Sequence, residues 1–330
     1  MSTLAATNDS VAPNLIHPLT SSPILQHLKA LPPPTQHTYL PLRSKSLAMD
    51  ITHHRKSTLI MAILNLTPDS FSDGGVHRLD PKAVVGTVKK LIDNGAHIID
   101  IGGQSSRPHA IEVSTQEEID RVVPAILAIR KAGLTVPISI DTYRSKVAEA
   151  AIEAGADIIN DISAGDLDHR MLSTAAKLNV PIILMHMRGN PQTMTSLAKY
   201  PDDLVTTVAN ELSAKLDSAI SAGIKRWNIL LDPGLGFAKT GSHNLELMRR
   251  LPELRSKFRG MPWVLGPSRK RFIEGVTGES VPGERVWGTA GAVAACVQGG
   301  ADIIRVHDVA EMSKVVKMSD AIWRNVQTSE

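Results

Sequence analysis

Arg305 and His307 stand two residues apart at the end of a short β-branched run. Residues two apart on a strand point the same way, and two such cations aimed into one space suit a phosphate. The other reading of Arg305 is a partner for a nearby carboxylate, and the sequence leaves both open. Asn65, Asp100, Asp141, Asn160 and Asp232 close or directly follow similar apolar runs, and Lys270 sits in Ser268-Arg269-Lys270-Arg271. Asp141, Asn160 and Asp232 can accept hydrogen bonds from a planar ligand rich in N–H groups. Taken singly, an Asp at a strand end is often just the N-cap of the next helix. Three adjacent cations at a helix start add charge to a terminus that is already partly positive. They call for an anion unless they form a solvated face. The chain has only four Phe, and two of them, Phe71 and Phe237, lie in polar, glycine-containing loops. Each is either a plug over the core or a stacking surface for a flat ligand. No residue in the set looks like a nucleophile with a paired base.

The elements that must carry these residues repeat. Gly95-Ala96-His97-Ile98-Ile99-Asp100, Gly155-Ala156-Asp157-Ile158-Ile159-Asn160 and Gly300-Ala301-Asp302-Ile303-Ile304-Arg305 share one grammar. A helical pattern ends, Gly closes it in the left-handed conformation, and a buried strand follows that stops on a polar residue. The first strand is expected over 58–64. Further strands are expected over 97–101, 136–141, 157–160, 181–185, 227–231, 263–265 and 302–306. Helical periodicity falls between them. Asp80-Pro81 supplies an N-cap and a first helical Pro, and Thr115 with Glu118 reads as a capping box. Eight strands alternating with helices over about 270 residues predict an α/β fold, a (β/α)8 TIM barrel, whose C-terminal strand ends form the mouth. An open doubly wound sheet would need a Gly-rich turn after the first strand, which 65–69 lacks.

Residues 1–57 read as an irregular N-terminal extension or linker, with Ser, Thr and Pro clusters and one short amphipathic turn at Ile24, Leu25 and Leu28. Residues 58–330 read as the barrel. The 330 residues are 42% hydrophobic and carry a net charge of +3. That charge suits an anionic small substrate and does not argue for nucleic acid. No apolar run approaches the roughly 20 residues that span a bilayer. The single cysteine, Cys296, excludes an internal disulfide and fits a reducing compartment. A cytoplasmic location is expected. The acid-poor leader resembles a transit peptide only faintly and leaves the mitochondrion as the alternative.

Taken together, the motifs resemble one family. NLTPDSFSDGG over 65–75, Asp100-Ile101-Gly102-Gly103-Gln104-Ser105-Ser106-Arg107-Pro108, Ile140-Asp141-Thr142, Ile159-Asn160-Asp161-Ile162, Leu184-Met185-His186-Met187, Asp232-Pro233-Gly234, Ser268-Arg269-Lys270 and Arg305-Val306-His307-Asp308 occur in the order and spacing of dihydropteroate synthases. Arg-Lys-Arg-Phe and the basic leader look more like the fungal members, where the synthase often ends a longer folate-pathway polypeptide. The resemblance implies a transferase that joins 4-aminobenzoate to 6-hydroxymethyl-7,8-dihydropterin diphosphate and releases pyrophosphate. It implies that Asp141, Asn160, Met185, Asp232 and Lys270 hold the pterin, with Phe237 packed on its ring. Ser106, Arg107, Arg305 and His307 would hold the diphosphate, with Mg²⁺ at Asn65. Phe71 and Pro108 would close over 4-aminobenzoate. Catalysis is expected from Arg305, His307, Lys270 and Arg107. A homodimer is expected as well, with Met318 and Trp323 of the last helix as contributors. Four departures stand out: Gln104 for a usual Glu, Ser106 for Thr, His109 for Gly, and Arg271 for the Ser of bacterial members. The competing readings are a pterin-dependent methyltransferase and a catalytically degenerate barrel.

Overall fold

The computed structural model describes residues 57–66, 80–105, 112–324 and 326, and the backbone of 37–40 and 47–50. Within the stretch expected to be irregular, β1 (His37–Leu40) and β2 (Leu47–Asp50) pair as an antiparallel hairpin. The turn expected at Ile24 to Leu28, and loop residues 67–79 and 106–111, lie outside the described residues.

Eight parallel strands then alternate with helices. They are β3 (Leu59–Asn65), β4 (Ile98–Gly102), β5 (Ile138–Asp141), β6 (Ile158–Asp161), β7 (Ile182–Met185), β8 (Ile229–Asp232), β9 (Val264–Leu265) and β10 (Ile303–Val306). Their order is β8-β7-β6-β5-β4-β3-β10-β9, and a single bridge, Leu231 to Trp263, joins the two ends into a closed barrel. This is the (β/α)8 barrel that the repeat predicts. The glycines that open the three repeats have φ of 105° at Gly95, 114° at Gly155 and 98° at Gly300, a region that costs L side chains energy.

Alternation along each strand separates two cores. Outward residues such as Ile99, Ile140, Ile159, Leu184 and Leu231 pack under the helices. Inward residues Leu59, Met61, Ile98, Ile158, Ile183, Leu230, Val264 and Ile303 fill the bottom of the barrel. One step further along the same inward faces the chemistry changes to Asp100, Asp141, Asn160, Asp232 and Arg305. Apolar filling below and polar groups above is what period-2 alternation gives when each strand ends on a polar residue.

The helices are α1 (Pro81–Asp93), α2 (Thr115–Lys131), α3 (Ser145–Glu153), α4 (Met171–Leu178), α5 (Leu204–Ser221), α6 (Gly241–Arg249), α7 (Leu251–Ser256), α8 (Arg271–Thr277), α9 (Val286–Gln298) and α10 (Val309–Trp323). Asp80 caps α1 as expected, accepting from the Lys82 N–H at 3.0 Å. The capping box at Thr115 does not form. Ser114 is the N-cap of α2 and accepts from the Glu117 N–H. Glu118 is buried and pairs with Arg144 at 2.5 Å, an ion pair that draws its carboxylate away from the helix end. Trp227 and Asn228, expected to open a strand, belong to a 3-10 turn, Arg226–Asn228, that leads into β8.

Candidate functional site

Strand register sets the rim of the mouth. Asn65 pairs with Gly102, Gly102 with Asp141, and Asp141 with Asn160. Met185 pairs with Asp232. Asp100, Asp141, Asn160, Met185 and Asp232 are buried, while Asn65, Lys270, Arg305 and His307 are half-buried. The ligands expected at the strand ends therefore converge on one mouth. Ser106, Arg107, Pro108, His109 and Phe71 lie outside the described residues.

Arg305 settles into the carboxylate-pairing reading. Its Nε donates to Asp100 Oδ2 at 2.6 Å and its Nη2 to Asp141 Oδ2 at 2.5 Å. Burial works against the cation, but the two carboxylates outweigh it and hold its pKa above the ordinary range. Nη1 makes no hydrogen bond among the described residues, so the guanidinium keeps N–H donors to offer a ligand. Asp100 also accepts from Asn160 Nδ2 at 3.1 Å, and its Oδ1 has no partner among the described residues. This fully buried aspartate orients two other rim residues, a role that its place in the strand-end set did not reveal. Burial pushes the Asp141 carboxyl up to about 7. Arg305 opposes that shift, and the nearby Asp100, Glu118 and Asp161 charges add to it. Burial also raises the Asp232 pKa, with Lys270 opposing.

His307 and Ser268 form a Ser–His contact, which the sequence did not suggest. Ser268 Oγ lies 3.0 Å from His307 Nδ1 and accepts from the His307 backbone N–H at 3.2 Å. The hydroxyl has a second acceptor site and its own proton left for the ring nitrogen, so either atom can be the donor in that contact. The serine is buried, so the contact orients the imidazole and does not present a nucleophile.

The cation run resolves differently from the expectation. Arg269, at φ 59°, turns back to pair with Asp308. Lys270 donates to the Leu235 carbonyl and sits 4.8 Å from the centre of the Phe237 ring. Only Arg271 is an exposed charge. Burial brings Lys270 down to about 8, against the pull of Asp232. Phe237 packs against a small buried apolar cluster that includes Met185 and Met187. The lysine ammonium is held above one face of the ring. Gln104 spans the second loop: its Oε1 accepts from the Val113 N–H at 2.8 Å and its Nε2 donates to the Ser105 carbonyl at 3.0 Å. Cys296 is buried, and burial raises its thiol pKa, which keeps it in the unreactive thiol form.

The family of pterin binding enzymes matches residues 61–307. A dihydropteroate synthase of Synechocystis sp. is 50% identical over 269 residues, covering 82% of this chain and 91% of that protein. The chain belongs to the dihydropteroate synthase family. The folic acid synthesis protein fol1 of Pneumocystis carinii is 50% identical over 320 residues and 96% of this chain. The chain spans 43% of the length of that fungal relative and 42% of its Schizosaccharomyces pombe counterpart. Among solved structures, the Xanthomonas albilineans dihydropteroate synthase with 4-aminobenzoic acid superposes with a TM-score of 0.77 at 37% identity. It covers 87% of this chain and 98% of its own. The same bacterial synthase in complex with 7,8-dihydropteroate gives a TM-score of 0.74 at 36% identity, over 86% and 98%. The Synechocystis and Xanthomonas relatives carry the dihydropteroate synthase name and the fungal ones that of folic acid synthesis, and none of these carries that of a pterin-dependent methyltransferase. Membership makes this a family of alkyl-transferring enzymes of folate synthesis.

Proposed function

We propose that the chain condenses 6-hydroxymethyl-7,8-dihydropterin diphosphate with 4-aminobenzoate to give 7,8-dihydropteroate and pyrophosphate. The carrying observation is that hydrogen-bond acceptors Asp141, Asn160 and Asp232 share one buried mouth with Arg305 and Lys270. An aminopyrimidine edge has N–H groups to donate to such carboxylates. Met185 and Phe237 supply an apolar wall for the pterin ring. At the other side, Arg305 and His307, with Ser106 and Arg107, hold the diphosphate. Phe71 and Pro108 close over 4-aminobenzoate.

Asn65 fits a Mg²⁺ ion. It presents an amide oxygen at the rim, and a Cβ on Gly102 would lie 3.8 Å from that oxygen and 3.5 Å from the Asp141 Cβ. The missing side chain keeps this space open, and a hard cation takes few protein oxygens when phosphate and water supply the rest. Bound there, the ion would neutralise diphosphate charge. The chain's own residues then do two things. Arg305, His307 and Arg107 stabilise the departing diphosphate, and Lys270, Asp232 and Asn160 fix the pterin so that its methylene carbon faces the arylamine. The dihydropterin ring shares the positive charge that develops on that carbon, so no enzyme nucleophile is needed.

A homodimer and a cytoplasmic location belong to the same reading. Trp287 is 86% exposed and Met318 63% exposed on α9 and α10, large apolar surface that a second copy would cover. No helix among the described residues is long and apolar enough to cross a membrane. The fungal relatives' greater length supports a link to other folate-pathway domains.

Pyrophosphate release tests the reaction. Release is expected to need Mg²⁺ and both substrates, and Arg305→Ala is expected to lower kcat/KM by about 10²-fold or more, the scale of losing a charged transition-state contact. Tight pterin binding without release would instead favour a degenerate barrel.

A further inference from the structure

The loop that follows β8, residues 233–239, carries Phe237 and faces the mouth on one side only. Its backbone is tightly wound, with φ of 68° at Gly234, 79° at Gly236 and 47° at Ala238. A Cβ on Gly234 would lie 2.0 Å from the His186 carbonyl oxygen, so the loop is seated backbone to backbone on the end of β7. It is also held by Lys239. This lysine is buried, and its ammonium lies 2.9 Å from His186 Nδ1, 3.0 Å from the Phe237 carbonyl and 3.4 Å from the His186 carbonyl.

The contacts continue into a closed circuit. Because Nδ1 faces a lysine donor, His186 carries its proton on Nε2 and donates it to Glu211 Oε2 at 2.8 Å. Glu211 receives Arg188 through Nε and Nη2. The Arg188 guanidinium lies 4.1 Å from the centre of the Tyr200 ring, and the Tyr200 hydroxyl donates to the Ala238 carbonyl at 3.1 Å. The circuit therefore starts and ends on the loop that bears Phe237. A lysine is rarely buried without partners of this kind, and this one spends its bonds on His186 and the Phe237 carbonyl. Lys270 holds the Leu235 carbonyl of the same loop.

We propose that Lys239 is a positioning residue for pterin binding. It fixes the height of the Phe237 ring and keeps the loop in place when Lys270 exchanges the Leu235 carbonyl for substrate. This rests on the reading of the mouth as a pterin site.

The test is steady-state kinetics of pyrophosphate release on the full chain with Lys239→Met, Phe237→Ala and the double variant. Lys239→Met is expected to raise KM for the pterin diphosphate about tenfold, with kcat within about threefold and KM for 4-aminobenzoate unchanged. If the lysine acts through the ring, the double variant shows about the larger single effect and not the product of the two. His186→Gln, which withdraws the Nδ1 acceptor, is expected to raise the same KM by about threefold, and it serves if Lys239→Met does not fold. Unchanged pterin KM in both Lys239→Met and His186→Gln, fully multiplicative effects, or loss of folded protein in both would overturn the inference and leave the synthase reading standing. No release by the unsubstituted chain would overturn that reading and this inference with it.

Discussion

Single side chains in this barrel have their charge states set by burial and by one or two partners. His186 is the clearest case. Burial and the neighbouring Lys239 ammonium bring its pKa down to about 3, against the pull of Glu211. The unfolded chain takes up this proton near pH 6.5 and the folded chain does not. The unfolded state therefore binds more protons between about pH 3 and 6.5, and stability is lost as pH falls through that window. Replacing His186 with Gln removes the titrating group. Its Tm is expected to decline less steeply than that of the parent between pH 6.5 and 4, measured by thermal melts at matched ionic strength. An equal slope would show that other groups govern the acid limb. The rim residues were legible from the sequence because each closes an apolar run. The pairing of Arg305 with Asp100 and Asp141 was visible only as one of two options. Strand position gives direction, but the choice between a carboxylate and a phosphate depends on distances of 2.5 and 2.6 Å that no spacing encodes.

Elements show the same division between what pattern carries and what packing decides. The apolar runs and the glycines that close the helices were enough to locate all eight barrel strands, because a buried parallel strand has a composition of its own. Their ends shifted where a tertiary bond competed with a local one. Glu118 left a helix cap for Arg144, and Arg269 left the start of α8 for Asp308. Neither partner is near in sequence, so no local rule could find it. The loop after β8 is where an element is under the tightest steric demand. Gly234→Ala would place a methyl group against the His186 carbonyl and hold an L-residue at φ 68°. The expected cost is about 3 kcal/mol or more, from left-handed strain plus backbone displacement. A urea titration that found it within about 0.5 kcal/mol of the parent would show that the loop can relax away from β7.

At the scale of the whole molecule, the first and last βα units are locked together beneath the barrel. Thr58 donates its N–H and its hydroxyl to Asp320 at 2.7 and 2.6 Å. Arg324, also buried, donates to Thr58 Oγ1 and to the carbonyls of Val297 and Ala301. Removing the guanidinium leaves a carboxylate and two carbonyls short of partners in a dry site. Arg324→Ala is expected to cost about 3 kcal/mol, or roughly 6–12 °C in Tm, with KM values unchanged because the lock lies at the opposite end from the mouth. Calorimetry alongside kinetics separates the two effects, and a rise in KM would mean that closure of the barrel reaches the rim. Nothing in the sequence marked this lock, since Thr58 and Arg324 lie 266 positions apart in the chain and no local rule pairs them.

The barrel is sealed unevenly. Most neighbouring strands share several rungs, but β8 and β9 meet at the one bridge between Leu231 and Trp263, and β9 is only two residues long. Asp232 stands immediately above that seam on one side, and Lys270 follows it on the other. A pterin held by both would act as a clasp across the weakest join in the cylinder. Substrate and scaffold would then share one fastening, and occupancy would tighten the barrel itself.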